Sequence, residues 1–171
     1  MVASMSEFKT LEPSQLGNVF EMIGKQWMLI TAGDRNACNT MTASWGGMGI
    51  LWGAPVAFAF IRPTRYTLEF IEKKDMFTLC FFDEEYRKAL NFCGTKSGRD
   101  VDKVKATGLT PAYDGEAVYF EQARTVLVCK KMYRQDLDPT CFIDKSQDQK
   151  WYNQDYHRMF VGQIQKVLQR V

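Results

Sequence analysis

From Asn36 to Ile61 the chain carries no charged residue, and this stretch restricts the possible folds more than any other. Arg35 stands on one side of it, and Arg62-Pro63-Thr64-Arg65-Tyr66-Thr67 restores positive charge on the other. A membrane-spanning helix needs about 20 mostly apolar residues. Here Gly46, Gly47, Gly49 and Gly53 interrupt helical continuity, and Pro55 removes a backbone donor. Asn39, Thr40, Thr42 and Ser44 would also carry polar groups into lipid. The stretch therefore reads as strand, glycine-rich loop, strand, with small polar groups and backbone open to a large ligand.

The remaining sequence is that of an ordinary globular protein, 171 residues long with 46% hydrophobic and 25% charged residues, enough for one domain over residues 1–171. A net charge of +2 gives no footing for nucleic-acid or membrane binding. Met1 to Thr10 lacks the apolar core of a secretory signal. The five cysteines are widely and irregularly spaced, with no Cys-x-x-Cys pair, and His157 is the only histidine. This pattern argues against zinc sites and redox dithiols and suits buried thiols in a reducing cytoplasm.

Strands are expected at Trp27–Ala32, Ala37–Ser44, Met76–Phe82, Arg124–Tyr133 and His157–Leu168, with Gly162 a bulge or close-approach point. Val56, Phe58 and Phe60 alternate with Ala57 and Ala59, a strand with one bulky and one small face. Helices are expected at Leu68–Lys74, capped by Thr67, after Asp83 as far as Gly94, and from Asp100 to Ala106. Residues before Leu16 read as a polar lead-in, and Asp136 to Gln149 as a surface excursion. Short strands with interspersed helices indicate an α+β, mainly β domain whose sheet closes into a barrel.

No nucleotide-binding glycine fingerprint, nucleophile elbow or zinc-protease motif occurs. With a single histidine, the chemistry points to a bound cofactor that the protein holds and orients. Asn39 to Ser44 offers hydroxyls, an amide and backbone donors, while Arg62, Arg65 and Thr67 suit a phosphate. The same residues also suit an ordinary strand with a solvated basic edge. Residue chemistry alone reaches a phosphorylated ligand and no further.

The order Asn39-Thr40-Met41-Thr42-Ala43-Ser44-Trp45-Gly46, Pro55, then Arg62-Pro63-Thr64-Arg65-Tyr66-Thr67 resembles the flavin reductase-like family, and more closely the flavoredoxin branch of the FMN-binding split-barrel proteins. Lys96 to Lys103 and Asp155 to Gly162 match the same pattern. The resemblance implies a six-stranded antiparallel Greek-key split β-barrel with short flanking helices. It implies a homodimer binding FMN non-covalently near the subunit interface. Asn39, Thr40, Met41, Thr42, Ala43 and Ser44 would line the isoalloxazine and ribityl chain, with Trp45 beside the ring. Arg62, Arg65, Tyr66 and Thr67 would hold the phosphate region; Ser97, Gly98 and Lys103 would approach from a second loop. His157 would lie at the flavin or the nicotinamide pocket, as the catalytic candidate. The implied activity is an NADH- or NADPH-dependent flavin reductase that passes electrons to a second acceptor. The alternatives are a flavoredoxin-type electron carrier or sensor served by a redox partner protein, and a barrel that has lost its ligand.

Overall fold

The small face of Ala57 and Ala59 turns inward, and the rest of the molecule is built around that choice. In the computed structural model, which describes residues 7–171, Ala57, Ala59 and Ile61 of strand β5 (Ala54–Ile61) sit in the main core. They meet Met28 and Ile30 of β2 (Met28–Gly33), Met41 of β3 (Cys38–Ala43) and Phe77, Leu79 and Phe81 of β6 (Met76–Phe81). Leu127 and Cys129 of β9 (Thr125–Asp136) and Phe160, Ile164 and Val167 of β10 (Arg158–Arg170) complete it. Burying a phenylalanine such as Phe77, Phe81 or Phe160 contributes about 2 kcal/mol of transfer free energy.

The strands run β3-β2-β6-β9-β10-β5-β4 across one antiparallel sheet, with β4 spanning Gly46–Leu51 and β1 (Phe8–Leu11) added to the far end of β10. Because strands from both ends of that order share one apolar cluster, the sheet is rolled around it. Eight strands, against the six that the resemblance implies, leave the antiparallel, mainly β class unchanged. A second cluster lies on the outer face. There Leu90 and Cys93 of helix α3 (Arg87–Thr95), and Ala117 and Phe120 of the hairpin β7 (Pro111–Asp114) with β8 (Ala117–Phe120), cover Leu29, Cys80 and Val126.

Three expectations require correction. The glycine-rich segment is a strand: Gly46 to Leu51 pair with Ala59 to Ala54 in a hairpin closed by Trp52 and Gly53. Both turn residues have positive φ (52° and 71°), as a two-residue hairpin turn of matching twist requires. A Cβ on Gly46 would stand 2.8 Å from the Phe58 carbonyl, so the small residue permits close passage at the start of β4. The lead-in also holds a strand, β1, whose partner residues Val167 to Arg170 lie at the opposite end of the chain, and a single helical turn, α1 (Val19–Glu21), follows before β2. Helix α2 (Thr67–Lys73) starts from Tyr66, and the Thr67 hydroxyl is not its cap, because it accepts from Asn39 Nδ2.

The other expected elements form, one of them with a displaced start: Asp100, expected to open a helix running to Ala106, lies in a turn, and the helix begins at Lys103. Helix α4 (Lys103–Thr107) is capped by Asp102, whose carboxylate accepts from Lys105 N–H, and ends on Gly108 at φ 71°. Gly162 is a close-approach point, where a Cβ would fall 2.5 Å from the Phe77 ring; the bulge beside it lies on β9, which skips Met132, and the extra residue of β10 itself is Gln165. The excursion runs from Leu137 to His157 and carries helix α5 (Lys145–Trp151).

Candidate functional site

Strand β3 is the common floor of two clefts. Cys38, Asn39 and Thr40 line a wide one of about 540 Å³, together with Tyr66, Gly98, Arg99 and Lys103. Met41, Thr42 and Ala43 line a narrow one of about 240 Å³, with Ser44, Trp45, Phe60, Arg62, Arg65, Trp151 and His157. Of the residues expected from sequence, all but Thr67 and Ser97 line one cleft or the other. Thr67 is fully buried behind Asn39, and the Ser97 hydroxyl accepts from Arg99 N–H within its own turn.

Lys103 of the wide cleft and Arg65 of the narrow one bring positive charge together between them. Lys103, only 4% exposed, donates from Nζ to the Thr40 carbonyl at 2.7 Å and the Cys93 carbonyl at 2.8 Å. Arg65 donates to the Gly94 carbonyl at 2.8 Å and to the same Cys93 carbonyl at 3.2 Å. Neither cation has a carboxylate partner among the described residues. Burial, and then the neighbouring Arg65 charge, pull the Lys103 ammonium down to about 8; burial lowers Arg65 as well. A buried and a half-buried cation held by carbonyl dipoles alone are set up to receive an anion.

Close approach in the wide cleft depends on Gly98. A Cβ there would stand 2.0 Å from Asn39 Oδ1 and 3.1 Å from the Tyr66 ring. The loop therefore presses its backbone onto the Asn39 amide, which is held on its other side by Thr67. The hydroxyls of β3 are largely engaged. Thr40 bonds Thr31 at 2.8 Å inside the core, and Thr42 donates to the Leu90 carbonyl of α3. What β3 presents to a ligand is thus its edge, the Ser44 turn and backbone rather than a row of free hydroxyls.

The excursion forms one wall of the narrow cleft, which the sequence did not disclose. Trp151, at the end of α5, meets Trp45 edge to face at 5.0 Å. Arg62 fastens this wall, pairing with Asp155 at 2.5 Å and donating to the Trp151 carbonyl at 2.8 Å. Its guanidinium also lies 5.1 Å from the centre of the Tyr152 ring. His157 is 7% exposed, packs 5.2 Å from the Trp45 ring, and bonds Tyr152 Oη through Nδ1 at 2.8 Å. Burial, and then the Arg62 charge, hold its imidazole near 4, so it is neutral at pH 7. Trp151, Tyr152 and Asp155 escaped the sequence reading as site residues because nothing in their local pattern signals contact with β3 or β5.

Beyond Trp45 lies a third hollow of about 750 Å³, lined by Val19, Phe20, Ile23, Gly46 and Met48, with Phe20 91% exposed. Among the described residues no helix is long and apolar enough to span a membrane, and no cluster of metal-ligating side chains occurs.

The family model described as flavin reductase like domain matches residues 21–170. Among solved structures, an FMN-binding domain of a flavin reductases-like enzyme from Shewanella baltica is similar at TM-score 0.70 and 15% identity, covering 96% of this chain and 78% of the other. The flavoredoxin of Desulfovibrio vulgaris is similar at TM-score 0.65 and 21% identity, covering 92% and 75%. An NADH:FAD oxidoreductase of Streptomyces globisporus is similar at TM-score 0.62 and 13% identity, covering 84% and 75%. A search of curated proteins found no match.

Proposed function

The chain belongs to the flavin reductase-like domain family, and from that membership we propose that it binds FMN along β3 and acts as an NAD(P)H-dependent oxidoreductase. The observation that carries the reading is the pair of half-buried Arg65 and buried Lys103, two cations on one carbonyl with no acid beside them among the described residues. FMN supplies, when bound, the hydride and electron chemistry that no side chain here possesses. The chain's own part is positional. Arg65 and Lys103 would neutralise the phosphate, and Gly98 and Asn39 would set how near the second loop comes. Trp45 would flank the ring and His157 would face it as a neutral donor. A flat ring between Trp45 and the β3 backbone needs orientation rather than acid or base strength, which suits a site with one histidine.

A carrier without nicotinamide turnover is the second reading. It is favoured by the narrow cleft, only about 240 Å³ and walled by Trp151, and it accords with the flavoredoxin among the similar structures. In that case a redox partner protein would reduce the flavin. Anaerobic addition of NADH or NADPH to the FMN-loaded protein separates the two. Bleaching of the flavin absorbance within seconds supports the reductase. A bound flavin that nicotinamide leaves coloured, but a chemical reductant bleaches, sinks that reading in favour of the carrier.

We also propose a homodimer. The exposed Phe20 and the hollow that shares Ser44 and Trp45 with the narrow cleft would be covered by a second copy, bringing the interface beside the flavin.

A further inference from the structure

His157 bonds the protein through one ring nitrogen only. Nδ1 is 2.8 Å from Tyr152 Oη; Nε2 has no protein partner among the described residues, yet it is not sealed in apolar surroundings, since the ring lines the narrow cleft. We infer that Tyr152 is a positioning residue for His157. Its hydroxyl donates to Nδ1, holds the imidazole as the Nε2–H tautomer, and so turns a hydrogen-bond donor into the narrow cleft toward a carbonyl oxygen of the bound ligand.

The direction of the Tyr152 bond follows from the two groups. A phenol O–H is a far stronger acid than a neutral imidazole N–H, and the unprotonated ring nitrogen is the stronger acceptor, so the favoured pairing is O–H to N. A neutral ring carries one proton; once Nδ1 accepts, that proton resides on Nε2. The neutral state is held by desolvation and by Arg62, with Asp155 opposing.

Tyr152 is itself fixed from several sides. It stacks on Tyr156 at 5.0 Å, contacts Phe142 at 5.8 Å, and lies under the Arg62 guanidinium that Asp155 and the Trp151 carbonyl hold. The excursion, rather than the barrel, thus dictates the hydrogen-bonding character of the only histidine. Identifying the acceptor as a flavin or nicotinamide carbonyl rests on the FMN reading; the tautomer does not.

Because His157 is the only histidine, its two ring nitrogens can be read directly in long-range proton–nitrogen spectra of the labelled protein at pH 7. The expected result without flavin is a single neutral Nε2–H tautomer, giving way in Tyr152→Phe to exchange-averaged nitrogens. An Nδ1–H tautomer in the unsubstituted protein, or an unchanged Nε2–H tautomer in a folded Tyr152→Phe, overturns the inference. Saturating FMN should then shift the Nε2 resonance in the unsubstituted protein. Bound FMN, seen by its absorbance, that leaves Nε2 unmoved overturns the donor role. Absence of any FMN binding rejects the flavin reading and the acceptor drawn from it, while the flavin-free spectra still decide the role of Tyr152.

Discussion

Arg65 and Lys103 donate to a single backbone oxygen, the carbonyl of Cys93, at 3.2 and 2.8 Å. Two cations converge there at the end of α3 with no carboxylate to balance them. Lys103 depends on its proton to attract an anion, and burial has brought it to about 8. Between pH 7 and that value FMN affinity should be level, because the phosphate, with a second pKa of about 6, is already a dianion. Above it, the free protein sheds the Lys103 proton that the complex needs, and affinity should fall by up to tenfold per pH unit. Fluorescence titrations of FMN between pH 7 and 9.5 check this, and Lys103→Met should abolish the slope.

The imidazole of His157 has the opposite acid-side signature. Its folded value near 4 lies below the ordinary 6.5, so between these limits the unfolded chain binds a proton that the folded chain resists. Stability must therefore drop as pH falls through this window. The single-group contribution is about 2.5 kcal/mol between pH 7 and 4.5. Urea denaturation of the unsubstituted protein and His157→Gln at both pH values isolates it, since carboxylates that also titrate there are common to both. Equal losses in the two proteins would contradict a neutral, desolvated His157.

Two glycines should separate folding from binding. Gly162→Ala puts a Cβ against the Phe77 ring and Cys129, inside the core and away from both clefts. It should cost about 1–3 kcal/mol of stability and leave FMN affinity within twofold. Gly98→Ala drives a Cβ into the Asn39 amide, displacing the second loop. It should weaken FMN binding at least tenfold with a smaller fall in melting temperature. Thermal denaturation and FMN titration of both variants give the comparison, and a Gly98→Ala protein binding normally would remove the loop from the site.

Phe20, nearly fully exposed beside the Trp45 hollow, is the test of assembly. Phe20→Glu should convert a dimer to a monomer by light scattering at micromolar concentration. A monomer before substitution would refute the dimer proposal.

How much of this was legible depended on the range of each contact. Strand β3 and its turn to β2 were readable because alternation and the Gly33 to Asn36 turn are local. The basic flank was readable as a concentration of charge because Arg62 and Arg65 lie close in sequence, but Thr67, read together with them, is buried behind Asn39 and lines neither cleft. The β4 hairpin was misread because Gly46, Gly47 and Gly49 carry no strand preference of their own; pairing with Ala54 to Ala59 makes the strand. Likewise Thr40 and Thr42 looked available, but Thr31 and the Leu90 carbonyl, known only from the fold, engage them. Trp151 and Tyr152 could not be assigned, since their partners Trp45, Arg62 and His157 are brought to them by the chain's return to β10.

The most direct measurement is an equilibrium titration of FMN at pH 7 with the unsubstituted protein and Lys103→Met. Removing one charge-assisted bond to a phosphate costs about 1.5–3 kcal/mol, so saturable binding should weaken roughly tenfold to a hundredfold in the variant. Failure of the unsubstituted protein to bind FMN, or equal affinity in a folded Lys103→Met, would contradict a phosphate held by Lys103 and Arg65.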